Sequence, residues 1–224
     1  MNQTIKVETG PRAHTMAGVL PTVFVVDDDI SVRESLELLI ANEGWRPELF
    51  CSANDFLARP PLLSPSCLLL DVGLPDFNGL ELQQRIASDR AYMPIIFITG
   101  RGDIPMTVHA MKAGAVEFLT KPLTSQALLS AIQSALERSR TSLAEVASLQ
   151  GIRDRYQSLS RREREVMALV VRGQLNKQVA GALDISEITV KAHRGRVMRK
   201  MRARSLPELV NIAAQLGIEV AGKR

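Results

Sequence analysis

The sequence predicts an α/β fold, in which a doubly wound parallel sheet of five β/α units is followed by a small all-α domain. Three patterns predict it. Short apolar runs alternate with segments whose apolar residues recur at helical spacing, and polar residues follow most of the runs. Residues 20–150 contain ten basic and sixteen acidic residues, a net charge of −6, whereas residues 151–204 contain fourteen basic and five acidic residues, a net charge of +9. This asymmetry indicates two domains, the second with a polyanionic partner.

The predicted strands are short and mostly apolar, as expected for parallel strands that are buried on both faces. Right-handed crossovers between them place helices on both sides of the sheet. The predicted strands are Thr22–Val26, Trp45–Phe50, Cys67–Leu70, Ile95–Ile98 and Val116–Thr120.

A helical segment follows each predicted strand. Ser31 is expected to cap the first helix, which ends near Gly44, because glycine adopts the left-handed conformation that closes many helices. Gly114 is expected to have the same role after the fourth helix. The predicted helices cover residues 31–42, 53–57, 79–88, 105–113 and 125–138.

The basic part of the chain contains helical patterns without strands. Ser160 and Glu163 form a capping box at the start of its first helix. The second and third helices are separated by a tight turn at 184–186, so that the pair forms a predicted helix-turn-helix. The predicted helices cover residues 160–172, 177–183, 186–201 and 205–216.

The segments outside these patterns complete the predicted organisation. Residues 1–20 lack the apolar core of a secretory signal and are expected to form a disordered leader. Residues 139–156 are expected to form a helical linker or an extension of the fifth helix, because apolar residues recur there every three positions. The two predicted domains are therefore 21–138 and 157–220. No run reaches the roughly 18 apolar residues of a membrane span, so the expected location is cytoplasmic.

Polar side chains at the carboxyl ends of four strands define a candidate site. Because ligands of open α/β sheets bind outside the carboxyl ends of the strands, these side chains are expected to form one acidic pocket. Several carboxylates in one pocket require a counter-charge, which Mg²⁺ or Mn²⁺ supplies through oxygen ligands. The residues of the pocket are Asp27, Asp28, Asp71, Thr99 and Lys121.

The same pocket favours phosphoryl chemistry. Asp71 stands at the end of a central strand, where its carboxylate can act as a nucleophile and form an acyl phosphate. The Lys121 ammonium can neutralise phosphoryl oxygens, and the Thr99 hydroxyl can donate a hydrogen bond to one of them. Positioning and charge neutralisation of this kind are most of what phosphoryl transfer requires.

The third helix of the basic part is the candidate recognition helix, which would enter the major groove of double-stranded DNA. Its core-facing residues are expected to be Ile188, Val190, Val197 and Met201. Arginine and lysine commonly bond to guanine edges, whereas phosphate contacts position the protein without specifying sequence. The candidate DNA-binding residues are Lys177, Thr189, Lys191, His193, Arg194, Arg196, Arg199 and Lys200.

Together these motifs resemble a two-component response regulator of the FixJ/NarL type. The stretches Ile98–Asp103 and Met111–Ala115 are similar to the FixJ branch of that family. Residues 22–138 resemble the receiver domain, which has a flavodoxin-like fold, and residues 157–218 resemble the LuxR-type DNA-binding domain.

The resemblance implies roles for the pocket residues. Asp71 would accept a phosphoryl group from a histidine of a sensor kinase. In the active state of the family, a threonine moves toward the phosphoryl group and an aromatic side chain turns inward. The implied Mg²⁺ ligands are Asp27, Asp28, Asp71 and the Gly73 carbonyl, and the implied phosphoryl-contacting and switch residues are Thr99, Lys121 and Phe118.

The resemblance also implies partners. Phosphorylation would produce a homodimer through the helix at 105–113 and the fifth strand, and the dimer would bind promoter DNA and act on RNA polymerase. The Lys121–Pro122 peptide bond is similar to one that is cis in the family.

Three functions remain to be compared. The first is a phosphorylation-controlled transcription factor, and the second is a hydrolase with an aspartate nucleophile. Such hydrolases need a second aspartate two residues after the nucleophile, but Gly73 occupies that position. The site is therefore not expected to be enzymatic beyond slow autodephosphorylation. The third function, a constitutive DNA-binding regulator whose receiver serves only for dimerisation, stays open as the alternative.

Overall fold

The computed structural model describes residues 20–74, 79–86, 89–100, 111–112 and 114–219. These residues belong to two compact units, which are divided between Ser142 and Leu143. Almost all of the predicted leader, most of the predicted helix at 105–113 and the end of the one at 79–88 lie outside the described residues.

The first unit is built on a parallel sheet whose strands occur in the order β2-β1-β3-β4-β5. This order confirms the predicted doubly wound sheet. The direction of winding reverses between β1 and β3, and ligands of such folds bind at the carboxyl edge beside that point. The strands are β1 (Thr22–Val26), β2 (Arg46–Phe50), β3 (Ser66–Asp71), β4 (Ile95–Thr99) and β5 (Glu117–Thr120).

Helices cover both faces of this sheet, as predicted. Because alternate residues of a strand point to opposite faces, Phe24 and Leu68 pack on the side of α2 and α3, whereas Val23 and Cys67 pack on the side of α1 and α4. The helices are α1 (Ile30–Asn42), α2 (Ala53–Ala58), α3 (Gly79–Ile86) and α4 (Ser125–Gln157).

The cap of α1 differs from the prediction. Asp29, not Ser31, occupies the N-cap position, and its Oδ1 accepts the N–H group of Ser31 at 2.8 Å. An aspartate satisfies the free N–H groups of the first turn and places a negative charge at the positive end of the helix dipole. The helix therefore begins directly after the aspartates that follow β1, without an intervening loop.

Helix α4 is a single element that runs through the segment 139–156. A hydrogen bond joins this helix to the sheet: the buried Oγ of Ser139 accepts the backbone N–H of Ser66 at 3.0 Å. Ser66 is the first residue of β3, so this bond satisfies a buried donor that has no strand partner at that end. Among the described helices, none is long and apolar enough to cross a membrane.

The second unit is helical and contains the predicted helix-turn-helix. Ser160 and Glu163 form the predicted capping box, and Ser186 and Ser205 cap later helices through their side-chain oxygens. Asp184 has φ 52° and ψ 52°, a left-handed conformation that aspartate tolerates, and it turns the chain from α6 into α7. The helices are α5 (Arg161–Val171), α6 (Asn176–Leu183), α7 (Glu187–Met201) and α8 (Leu206–Gln215).

The core-facing side of α7 differs from the prediction at one residue. Val190, Val197 and Met201 are buried as expected, but the side chain of Ile188 is 80% exposed. Ile188 precedes Val190 by two positions, which is about 200° around a helix of 3.6 residues per turn. The prediction for Ile188 was wrong because it used residue type and not angular position.

An ion pair between the buried carboxylate of Glu163 and the exposed side chain of Lys200 connects α5 to α7. The carboxylate of Glu163 is almost fully buried and accepts hydrogen bonds from Lys200 Nζ at 2.7 Å and from the Ser160 backbone at 2.8 Å. Lys200 also donates to the Ser158 carbonyl at 3.0 Å. The hydrogen bond from Lys200 is the main cause that lowers the pKa of Glu163 below its ordinary value.

We expect Glu163→Gln to destabilise the second unit by about 2 kcal/mol at neutral pH, because it removes a buried charge-assisted hydrogen bond. A lowered folded-state pKa adds stability that is complete above the unfolded pKa of about 4.3 and is lost as the pH falls through the folded value. In the Glu163→Gln variant, the unfolding free energy should therefore decrease less between neutral and acidic pH than in the wild type.

Hydrogen exchange of the amides in α5 and α7, measured against pH, checks this expectation. Glu165→Gln is the matched control, since within the described residues Glu165 pairs with the exposed side chains of Arg161 and Arg162, and such surface pairs are weak. Equal protection in both variants would contradict the role of Glu163.

Candidate functional site

The carboxyl edge of the sheet brings three of the predicted residues into direct contact. Asp27 follows β1, Asp71 ends β3 and Lys121 follows β5. The Nζ atom of Lys121 donates to Asp71 Oδ2 at 2.9 Å and to Asp27 Oδ2 at 3.1 Å. The Lys121 ammonium group therefore links two carboxylates that lie 94 and 50 positions before it in the chain.

Backbone hydrogen bonds hold each of these side chains in place. The remaining oxygen of Asp27 accepts the Asp29 N–H at 2.9 Å, and that of Asp71 accepts the Gly73 N–H at 3.0 Å. The Lys121 N–H donates to the Thr99 carbonyl at 2.8 Å. The loops directly after the strands thus fix the positions of these residues.

Burial and charge oppose one another in this pocket. Asp27 is 2% exposed, and burial raises the pKa of its carboxyl despite hydrogen bonds from Asp29 and Lys121. For Lys121, burial disfavours the charged ammonium, but the bonds to Asp71 and Asp27 outweigh it and raise the pKa. The negative charge is therefore only partly compensated by Lys121.

The acidic residues have the geometry and chemistry of a cation site. One carboxylate oxygen from each of Asp27, Asp28 and Asp71 lies within 4.8 Å of the others. All three ligand atoms are oxygens, which is the ligand type that Mg²⁺ prefers. Asp28 and Gly73 are exposed, so the pocket is open to solvent on that side. The donor set fits a hard divalent cation.

Thr99 lies at the carboxyl edge of the sheet, and Phe118 lies two residues before the end of β5. Thr99 ends β4, is 5% exposed, and pairs with Thr120 in the register of β4 and β5. Phe118 is partly buried, and its ring centroid lies 6.2 Å from that of Phe97 on the neighbouring strand. The Lys121–Pro122 bond is cis, as the sequence comparison led us to expect.

Sequence reasoning missed Arg33, which also contacts the pocket. Its Nη1 atom donates to the backbone carbonyl of Asp27 at 2.7 Å. Arg33 lies one helical turn after the cap Asp29, and a side chain at that position points back toward the start of the helix. Correct assignment of Asp29 as the cap would have indicated this contact.

The second candidate site is the surface of the helix-turn-helix. Its helices are joined by a hydrogen bond from Arg194 Nη1 in α7 to Asn176 Oδ1 in α6 at 3.1 Å. The Ser186 side chain caps α7 and contacts the Thr189 hydroxyl at 2.8 Å. The Arg194 bond holds α7 against α6, and the cap defines where α7 begins; one face of α7 is buried and the opposite face is exposed.

Apart from His193, the predicted DNA-binding residues fall into two groups in this unit, those with protein partners and those with exposed side chains for which no such contact is described. Arg194, Lys200 and Thr189 have protein partners, with Lys200 committed to Glu163 and the Ser158 carbonyl. His193 is partly buried, and its Nδ1 lacks a hydrogen-bond partner within the described part of the chain. The exposed group consists of Lys177, Lys191, Arg196 and Arg199.

Two family models match the chain. The model described as "Response regulator receiver domain" matches residues 23–133, and the model described as "Bacterial regulatory proteins, luxR family" matches residues 157–216. The first range contains the whole acidic pocket, and the second contains the helix-turn-helix.

Similar proteins cover nearly the whole chain. Nodulation protein W of Bradyrhizobium diazoefficiens is 48% identical over 209 residues, which are 93% of this chain and 92% of that protein. The transcriptional regulatory protein FixJ of Rhizobium meliloti is 44% identical, covering 86% and 94%. Among solved structures, the response regulator StyR has a TM-score of 0.77 and 45% identity, covering 88% of this chain and 100% of that one.

We expect Asp27→Asn to stabilise the first unit by about 1 kcal/mol in the absence of divalent cations, since it removes a buried charge that is only partly compensated. The raised pKa of Asp27 predicts the same direction of change in the unfolding free energy. A carboxyl whose pKa is raised on folding contributes stability at low pH, and this contribution is lost as the pH rises through the folded-state pKa. At pH 7 the neutral amide of the Asp27→Asn variant avoids that loss.

Urea unfolding in a chelator, followed by the fluorescence of Trp45, checks this expectation. Trp45 is the single tryptophan of the chain and packs against the core of the first unit. Asp28→Asn is the control, because the exposed Asp28 carboxylate carries little burial cost. If Asp27→Asn lowers the unfolding free energy, the interpretation of the pocket is wrong.

Proposed function

The chain belongs to the response regulators that join a receiver domain to a LuxR-type DNA-binding domain, and we propose that phosphorylation of Asp71 controls its regulation of transcription. One observation carries this proposal. A carboxylate at the end of a central strand contacts an ammonium group and lies beside two further carboxylates. The same chain carries a helix-turn-helix with exposed cations.

Asp71 is the proposed phosphoryl acceptor. One of its oxygens attacks the phosphorus of a phosphohistidine in a sensor kinase, so that an O–P bond forms while the N–P bond breaks. The imidazole leaves with the bonding electron pair and takes a proton from solvent. Lys121 is positioned to stabilise the charge that develops on the phosphoryl oxygens.

Charge neutralisation is the second requirement of this reaction. Mg²⁺, when bound by the carboxylates of Asp27, Asp28 and Asp71, supplies the positive charge that lets a phosphoryl group approach an acidic pocket. The Gly73 carbonyl is proposed as a further ligand, since the turn after β3 brings this residue next to Asp71. Mn²⁺ has the same preference for oxygen ligands and is expected to substitute.

The acyl phosphate is expected to persist rather than to turn over. In aspartate-dependent hydrolases, a second carboxylate two residues after the nucleophile acts as general acid. A Cβ atom at Gly73 would lie 3.7 Å from Asp71 Oδ1, so a side chain at this position could reach the reaction. Glycine offers no such group, which favours a signalling role over catalysis.

Phosphorylation is proposed to change the surface near β5. A phosphoryl group adds negative charge and oxygen acceptors beside Lys121 and Thr99, whose backbones are already joined by a hydrogen bond. Phe118 lies on the same strand, next to Phe97. β5 is the edge strand of the sheet, so a change there can be transmitted to a partner. We propose that it creates a homodimer.

The proposed output is binding to promoter DNA through α7. The exposed cations Lys177, Lys191, Arg196 and Arg199 are candidates for contacts with phosphates or base edges. A homodimer would place two recognition helices in half-sites about one helical turn apart. Activation through RNA polymerase is the proposed consequence.

We expect Asp71→Asn to abolish labelling by acetyl phosphate and Mg²⁺, because an amide oxygen is too weak a nucleophile to form the acyl phosphate. Asp29→Asn is the matched control. It changes a nearby aspartate that caps α1 and lies outside the pocket, so labelling should persist. Intact-mass spectrometry measures the added phosphoryl group.

The same samples distinguish the proposal from the constitutive alternative. Sedimentation and DNA titration of the treated wild type should give a larger mass and tighter binding, and the Asp71→Asn protein should give neither. Labelling of the Asp71→Asn protein at the pocket would refute the acceptor role. Equal DNA affinity before and after phosphorylation would support the constitutive alternative.

We expect Lys177→Ala to weaken binding to a mixed-sequence duplex and to reduce the slope of log affinity against log salt concentration by about 1, because one phosphate contact is lost. Arg46→Ala removes the same charge from an exposed side chain of the first unit and should leave the slope unchanged. Fluorescence anisotropy at several salt concentrations measures both. Equal slopes for the wild type and Lys177→Ala would place Lys177 outside the interface.

A further inference from the structure

The most exposed large apolar side chain among the described residues is that of Ile188, which is 80% accessible. It lies in the first turn of α7, the proposed recognition helix. Isolated exposed apolar residues are common at protein surfaces and need no explanation by themselves. The position of this one on α7 and its surroundings make it informative.

Ile188 lies opposite the buried face of α7. At about 100° per residue, the buried residues Val190 and Val197 define one side of the helix, and the positions i, i+4 and i+7 from Ile188 lie along the other. These positions are Ile188, Ala192 and Gly195, and all three are exposed. A Cβ atom at Gly195 would meet no other atom within 4 Å. From Ile188 to Gly195, the outermost line of α7 is therefore apolar, and its side chains are short after the first turn.

Basic side chains surround this apolar segment: Lys191 and Arg196 flank it, and Arg199 continues the same line of the helix. Lys191, Arg196 and Arg199 are exposed on the same helix, and residues 151–204 carry a net charge of +9. A lipid tail or an apolar protein surface would gain little from such surroundings, whereas a polyanion would be attracted to them. The charge distribution therefore favours duplex DNA as the occupant of this face.

The major groove presents one apolar group, the C5-methyl group of thymine, which apolar side chains contact in base recognition. The geometry points to Ile188 as a specificity-determining residue that contacts a thymine methyl group. Ala192 and Gly195 allow the backbone of α7 to approach the base edges closely. This inference rests on the proposed DNA binding and adds the chemical group that is recognised.

Replacement of thymine by deoxyuridine tests the inference, because it removes only the methyl group. The full-length protein, treated with acetyl phosphate and Mg²⁺, is first used to select a tightly bound sequence from randomised duplexes. Each thymine of that sequence is then replaced singly by deoxyuridine. We expect at least one replacement to weaken wild-type binding about fourfold, the effect of losing one buried methyl group.

Ile188→Ala removes the side chain that is proposed to contact the methyl group. It should weaken binding to the thymine duplex several-fold and should be insensitive to deoxyuridine at the same position. Ile188→Val keeps part of the side chain and should give an intermediate sensitivity. Ile188 is exposed and alanine has the higher helix propensity, so these variants should fold, which circular dichroism confirms independently.

Leu63→Ala is the matched control, because Leu63 is 78% exposed in the first unit and should keep the full deoxyuridine sensitivity. If the wild type and Ile188→Ala lose the same factor at every thymine, the role of Ile188 is refuted while DNA binding stands. If selection enriches no sequence, the proposed DNA-binding function itself fails, and the inference fails with it.

Discussion

Two hydrogen bonds from one ammonium group hold the acidic site together. Lys121 joins Asp27 and Asp71, two carboxylates whose like charges would otherwise repel one another. The parallel sheet makes this possible, because it delivers the ends of β1, β3 and β5 to one edge. The compensation is incomplete, since one ammonium group is close to three carboxylates, and burial still raises the pKa of Asp27. A pocket in this condition retains affinity for further positive charge, which is the physical basis of the proposed cation and phosphoryl chemistry.

The second unit uses its charges in two different ways. Lys200 and Arg194 stabilise the fold, since one pairs with the buried Glu163 and the other joins α7 to α6. Other cations, such as Lys191 and Arg196, point to solvent and stay available for a polyanion. Net charge alone therefore overstates the number of side chains that can contact DNA. The distinction is structural, because both groups lie on the same helix and alternate along it.

The sequence was sufficient to predict the sheet, its winding, the helix-turn-helix and its capping box. These features depend on local patterns of apolar and capping residues, which are visible one segment at a time. Three details were predicted wrongly or missed. Asp29 replaced Ser31 as the cap because the helix begins directly after the aspartates. Ile188 is exposed although it is apolar, because it lies on the side of α7 opposite the buried Val190. Arg33 reaches the Asp27 backbone through a contact that no periodic pattern encodes.

The hydroxyl of Ser139 restricts how this protein can diverge. Ser139 lies on α4, at the end of β3 that is far from the acidic pocket. Its hydroxyl accepts the backbone N–H of Ser66, the first residue of the strand whose last residue is Asp71. Only a side chain with a short acceptor fits this position, because loss of the acceptor would leave an N–H group orphaned in the interior. In evolutionary terms, residue 139 is therefore expected to vary as little as a site residue. Its invariance would reflect the folding of the central strand and would be mistaken for a role in signalling.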